Sequence, residues 1–193
     1  MTKTPFKIPC VILSGGKSSR MGEDKSLLPF FSSKTLIEFQ YKKLEQYFNH
    51  IYISSKSDKF DFLKDKSKLI LDKNHDISSP ILALQTILKK FDKVFIIPVD
   101  TPFVEFKTIE KLIIDSNSFD ITIAQTPFKT HNLCGIFTKN ILPFIENMIN
   151  QDIHKINYLI KNSKTQIINF ENEDEFLNLD DKNEYQKALN YIK

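Results

Sequence analysis

Tryptophan is absent from this 193-residue chain, arginine occurs once, cysteine twice and glycine four times. Each shortage excludes something. Cys10 and Cys134 lie far apart, show no metal-ligand spacing and sit in apolar stretches, so buried free thiols and a reducing, cytoplasmic compartment are expected. The four histidines (His50, His75, His131 and His154) also lack metal spacing and read as structural or exposed. No run of 18 apolar residues exists, which excludes a helical membrane span. The N-terminal stretch lacks the apolar segment of a secretory leader. No block of like charge stands out, and the net charge is only +3. That argues against a nucleic-acid or membrane surface while leaving room for a local positive site.

What is present is a globular composition, 41% hydrophobic and 26% charged. Its length suits a single domain over residues 1–193. Apolar, β-branched runs alternate with helix-like patterns. Strands are expected at 8–13, 51–53, 68–71, 94–99, 121–124, 133–137 and 166–170. Helices are expected at 35–48, 80–90, 108–115, 140–149, 154–160 and 182–192, with Pro80 suited to a first helical position. Such alternation implies a Rossmann-like three-layer α/β/α arrangement with a mostly parallel sheet. Ligands of such sheets bind beyond the carboxyl ends of the strands. The loop after Leu13, the residues after Ile53, Asp72 and Asp100 should therefore face one edge.

Three of the four glycines and the sole arginine fall within residues 14–25, which read Ser14-Gly15-Gly16-Lys17-Ser18-Ser19-Arg20-Met21-Gly22-Glu23-Asp24-Lys25. Glycine lets backbone N–H groups approach a ligand closely, and two lysines with an arginine beside them suit an anion. The stretch is neither a P-loop nor a G-x-G-x-x-G fingerprint. It reads as a phosphate-binding loop after the first strand or, more blandly, as a glycine-rich turn. Arginine's planar fork is hard to replace by lysine where bidentate phosphate contact matters, which gives Arg20 weight against chance in a chain with 26 lysines.

A second constellation lies at Asp100, which leaves the buried run Phe95-Ile96-Ile97-Pro98-Val99. A carboxylate there suits Mg²⁺, which takes one or two carboxylates plus substrate phosphates. It also suits a cap on the following Thr101-Pro102. Asp72 ends a shorter strand and reads either as a contact near the sugar or base or as ordinary turn chemistry.

These residues resemble a known family. Leu13-Ser14-Gly15-Gly16, Ser19-Arg20-Met21-Gly22 and Asp24-Lys25 resemble the L-x-G-G-x-S/A-x-R-M-G-x-D-K signature of molybdenum cofactor guanylyltransferases, within the nucleotidylyltransferase fold. Val99-Asp100-Thr101-Pro102-Phe103 is similar to the family's C-D-T-P-aromatic segment, Ser79-Pro80-Ile81 to its Gly-Pro-Leu, and His131-Asn132-Leu133 to its His/Gln-Pro segment. Phe176-Leu177-Asn178-Leu179-Asp180 is similar to its F-x-N-x-N. Relatives that use other nucleotides carry Ala-Gly where this chain has Gly15-Gly16, which favours GTP. Two departures stand out. Ser54 or Ser55 takes the place of an asparagine after the second strand, and Asp180 replaces the late motif's second asparagine, exchanging a donor–acceptor for an anion.

The resemblance implies transfer of GMP from GTP to the phosphate of molybdopterin, with or without its metal, and release of pyrophosphate. Lys25, Arg20 and Asp100 would be catalytic, with Lys17 assisting. Leu13, Ser14, Gly15, Gly16, Lys25, Ser54, Asp72 and Asp100 would contact the nucleotide, Asp100 would hold Mg²⁺, and Asn178 and Asp180 would face the pterin. It also implies protein partners: a molybdenum-insertion protein and molybdoenzyme apoproteins or their chaperones. Two rivals fit the same residues. One is a nucleotidylyltransferase using CTP or UTP; the other is a regulatory nucleotide-binding module without chemistry, against which Lys25 and Asp100 both argue.

Overall fold

The structure, a computed structural model, describes residues 5–15, 22–72 and 79–190. Seven strands make one sheet: β1 (Cys10–Leu13), β2 (Ile51–Ser55), β3 (Leu69–Leu71), β4 (Lys93–Pro98), β5 (Ile121–Gln125), β6 (Thr130–Thr138) and β7 (Thr165–Asn169). Their order is β3-β2-β1-β4-β6-β5-β7. Strand β6 runs antiparallel to both neighbours, β4 and β5, while the other pairings are parallel. The mostly parallel sheet expected from the alternation is therefore present, with one reversed strand inside it.

Helices α1 (Leu36–Leu44), α2 (Pro80–Lys90), α3 (Phe106–Ile114), α4 (Leu142–Asn150), α5 (Ile156–Lys161) and α6 (Lys182–Asn190) cover its faces. Strand β4 shows why there are three layers. Its apolar residues alternate, so Phe95 and Ile97 join a cluster with Leu36, Ile37, Ile109 and Ala188 of α1, α3 and α6. Val94 and Ile96 join the opposite cluster with Ile81, Leu84, Ile145 and Leu159 of α2, α4 and α5. A strand buried on both sides must be apolar along its buried length, as Val94, Phe95, Ile96 and Ile97 are. Both cysteines lie in this buried sheet as free thiols, and burial pushes the Cys134 thiol up to about 12.

Local chemistry sets the helix boundaries. Thr35 caps α1, its hydroxyl accepting from Glu38 N at 3.2 Å. Ser79 caps α2 by accepting from Ile81 N, with Pro80 in the first turn as expected. Helix α1 ends at Leu44, short of the expected 48, because residues 45–48 turn tightly: Phe48 N bonds back to Leu44 O while Phe6 pairs with Phe48 in an isolated bridge. The expected strand at 68–71 loses Lys68 to a 3₁₀ turn (Lys66–Lys68) capped by Asp65. Strand β4 ends at Pro98, one residue before the expected Val99. Among the described residues no helix is long and apolar enough to cross a membrane.

Candidate active site

The carboxyl ends of β1, β2, β3 and β4 open on a cavity of about 470 Å³. Leu13, Ser14 and Gly15 enter it from β1, Ser54 from β2, Asp72 from the end of β3, and Pro98, Val99 and Asp100 from β4. The edge named from sequence is the edge the cavity uses. Lys25 and Asp180 complete the same wall.

Lys25 stands at the start of a 3₁₀ turn (Lys25–Leu27) that Asp24 caps, accepting from Ser26 N at 3.0 Å and from Ser26 Oγ at 2.6 Å. Asp24 also pairs with the ammonium of Lys59. Burial pushes the Asp24 carboxyl up, but the bonds from Lys59 and Ser26 outweigh it and leave its pKa below the ordinary value. The capped turn fixes the backbone from which Lys25 reaches inward. Its Nζ lies 2.6 Å from Asp100 Oδ2, 3.2 Å from Asp180 Oδ1 and 3.3 Å from the Leu179 carbonyl. The Lys25 and Asp100 side chains are 12% and 16% exposed. Burial pulls the Lys25 ammonium down, and the carboxylates of Asp100 and Asp180 more than offset this, holding its pKa above the usual lysine value. Lys25 is therefore a cation at any physiological pH.

Asp100 is locked from several sides. Its carbonyl accepts from Leu179 N at 2.9 Å, which ties the late segment 177–181 to the end of β4. Its Oδ1 is buried with no hydrogen bond among the described residues. Thr101 turns its hydroxyl back to the Pro98 carbonyl, 3.1 Å away. Asn178 donates from Nδ2 to Asp180 Oδ2 at 3.1 Å, and its own Oδ1 is buried without a partner among the described residues. On the far side of β1, Asp72 is 8% exposed and accepts from Ser54 Oγ at 3.2 Å. Both Ser54 and Ser55 lie inside β2 rather than after it. Ser54 lines the cavity, and the serine choice left open by the sequence falls on it for that reason. A Cβ built on Gly15 would stand 3.5 Å from Asp72 Oδ2, an ordinary contact.

The structure thus gathers Leu13, Ser14, Gly15, Lys25, Ser54, Asp72, Asp100 and Asp180 around one space, with Asn178 behind Asp180. Gly16, Lys17 and Arg20 lie outside the described residues. Lys56, Ser79 and Pro80 also line the cavity. Lys56 went unread because a lysine two residues past a serine pair in a lysine-rich chain carries no local signal. His131 is buried away from the cavity lining: its ring stacks on Phe176 at 4.4 Å and its Nε2 is 3.2 Å from Thr126 Oγ1. Burial, with Lys129 nearby, pushes its pKa down to about 4, against an opposing pull from Glu173. Among the described residues no group of three or more His, Cys, Asp or Glu side chains could hold a metal by themselves. A hard divalent ion here would have to share its coordination between a carboxylate and a bound phosphate.

Residues 10–166 match the family described as the MobA-like NTP transferase domain. The chain belongs to the MobA-like NTP transferase family. A molybdenum cofactor guanylyltransferase of Campylobacter jejuni subsp. doylei is 39% identical over 191 residues, covering 97% of this chain and 98% of the relative. The enzyme of that name from Helicobacter pylori is 33% identical over 193 residues, covering 96% and 94%. The crystal structure of molybdopterin-guanine dinucleotide biosynthesis protein A from Archaeoglobus fulgidus superimposes with a TM-score of 0.79 at 19% identity, over 95% of this chain and 97% of that one. That likeness gives the fold of a three-layer α/β nucleotidyltransferase. The family match begins at the first residue of β1 and ends just inside β7, so it takes in the first six strands.

Proposed function

We infer that this MobA-like NTP transferase moves GMP from GTP to the phosphate of molybdopterin, releasing pyrophosphate and forming molybdopterin guanine dinucleotide. Family membership supports the reaction class, and the guanylyltransferase relatives support the substrates. The observation that carries the assignment to this cavity is the ammonium of Lys25 between two carboxylates at the strand ends.

The chemistry asks for little more than neutralisation and alignment. A molybdopterin phosphate oxygen forms a bond to the α-phosphorus of GTP, the bond to the bridging oxygen breaks, and its electron pair leaves on pyrophosphate. A phosphate monoester is largely ionised at neutral pH, so no general base is required. The rate then depends on holding two anions in line and stabilising their charge. Lys25 supplies a permanent cation and acts with Arg20 on the triphosphate, the backbone amides of Gly15 and Gly16 supply further donors, and Lys17 assists. Asp72 and Ser54 offer an acceptor and a hydroxyl to the neutral part of the nucleotide. Asn178 and Asp180 face the acceptor side.

Asp100 would hold Mg²⁺. Its hard oxygens fit: Oδ2 already holds a cation, and Oδ1 is buried without a partner among the described residues. When bound, the ion would neutralise phosphate oxygens of the nucleotide. The test is a thermal-shift panel of GTP, CTP, UTP and ATP with Mg²⁺, followed by pyrophosphate release with GTP and molybdopterin. Selective stabilisation by GTP and release only in the presence of molybdopterin are expected. Stabilisation by CTP or UTP instead would move the protein to another nucleotide specificity, and binding without release would make it a regulatory module.

A further inference from the structure

Gln40 is a polar residue on the apolar face of α1, among Leu36, Ile37 and Leu44, and is 1% exposed. Its Nε2 donates to the Pro98 carbonyl at 3.1 Å and to the Thr101 carbonyl at 3.4 Å. Two acceptors on that side identify the amide atom as nitrogen. These carbonyls bracket Val99 and Asp100. Its Oε1 is buried with no partner among the described residues. A helix facing a core gains nothing from such an atom, and a methionine or leucine would fill the space without an orphaned acceptor. What the glutamine adds is the double donation.

Within the segment, Thr101 closes on the Pro98 carbonyl through its N at 3.4 Å and its hydroxyl at 3.1 Å, and outside donors add to these. Pro98 and Pro102 have no N–H groups, so the turn around Asp100 can close few bonds of its own. Lys43, one helical turn further along α1, donates to the Pro102 and Val104 carbonyls at 2.8 and 2.7 Å. At its other end α1 is tied to the Lys25 segment, Leu36 N bonding to Leu28 O at 2.7 Å. One short helix therefore sets the spacing between the cationic and the acidic arm of the site.

We propose that Gln40 is a positioning residue that, through the carbonyls of Pro98 and Thr101, aims the Asp100 carboxylate at the metal–triphosphate, with Lys43 steadying the outgoing chain. The inference rests on the reading of Asp100 as the metal-binding group. It acts through backbone only, so its loss should loosen the metal site without touching the nucleotide contacts made from β1 and β3.

The test measures Mn²⁺ binding by electron paramagnetic resonance, with and without GTP, in the wild type and in Gln40→Met, alongside GTP binding in EDTA and thermal unfolding. Gln40→Met is expected to fold, to weaken Mn²⁺ binding in the presence of GTP about tenfold, and to leave metal-free GTP binding within twofold. Thr101→Val, of matching shape, removes the hydroxyl that serves the same Pro98 carbonyl. It should shift Mn²⁺ affinity in the same direction by a smaller factor, and it carries the test should Gln40→Met not fold. Normal Mn²⁺ affinity in a folded Gln40→Met, or in Thr101→Val where Gln40→Met does not fold, overturns the role of Gln40 alone. So does a parallel loss of metal-free GTP binding, which would mean general loosening. A wild type that binds GTP but no Mn²⁺ overturns the metal reading of Asp100 and this proposal with it.

Discussion

On one side of β1, Asp100 lies against the ammonium of Lys25; on the other, Asp72 accepts a neutral hydroxyl from Ser54. Both carboxylates follow parallel strands, both line the same cavity, and both are mostly buried. One contact of each differs: the Lys25 ammonium at Asp100, the Ser54 hydroxyl at Asp72. On the proposed function, Asp100, beside the Lys25 ammonium, would serve the highly charged part of the nucleotide. On the same proposal, Asp72, already an acceptor for one hydroxyl, would serve the N–H and O–H donors of a base or ribose. One sheet edge would then, on that function, serve both the charged and the hydrogen-bonding part of a nucleotide.

Removing the cation should have the largest effect. Lys25→Ala leaves Asp100 and Asp180 facing each other and the incoming phosphates, and turnover should fall roughly 10²-fold or more, the scale of losing one electrostatic stabiliser. A folded Lys25→Ala enzyme with wild-type turnover would erase the charged end from the comparison. The two carboxylates should then separate by kind. Asp100→Asn is expected to raise the Mg²⁺ concentration needed for half-maximal rate, with turnover partly restored at high metal. Asp72→Asn should leave the metal titration alone and raise KM for GTP by about tenfold, the effect of one lost buried hydrogen bond. Identical metal titrations for both variants would collapse the distinction.

A smaller effect is expected at Gly15. Since the protein leaves room for a Cβ there, Gly15→Ala should unfold at the wild-type temperature. The methyl group would project toward the ligand instead, and KM for GTP should rise about fivefold, within the range of a single misplaced methylene. A lowered melting temperature with unchanged KM would place the demand for glycine in the fold instead. The smallest effect on turnover should come from His131, which does not line the cavity. Its pKa, near 4 in the folded protein against 6.5 ordinarily, makes the unfolded chain bind more protons between these values. Stability from this group is full above pH 6.5 and is lost as pH falls toward 4. Urea unfolding of His131→Gln should show a flatter decline across that window, by up to about 3 kcal/mol, with turnover unchanged within twofold. Equal slopes for the two proteins would remove His131 as the acid-sensitive group.

How much of this was legible depends on how local each signal is. Strand β4 and its exit at Asp100 stand out because six consecutive apolar residues end in a lone carboxylate. Helix α2 was legible from Pro80, and Lys25 from the clustered glycines. The reversal of β6 was not, since parallel and antiparallel strands that are buried on both faces carry the same apolar run. Nor was the end of α1, where a bridge from Phe6 to Phe48 decides the outcome from 42 residues away. Gln40 left a trace that could have been followed: an amide at a position the helical period assigns to the core. The pairing of Asp180 with Lys25 had none, because an ion pair across 155 positions is written nowhere in either neighbourhood.

That long reach has a consequence for how the protein is made. Leu179 binds the Asp100 backbone and Asp180 binds Lys25, while Tyr185 of α6 donates to the carbonyl of Pro29. The ribosome delivers Lys25 first, Asp100 later and this clasp last. A nascent chain can assemble its early strands, yet Lys25 meets the Asp180 carboxylate only after 155 further positions have been made.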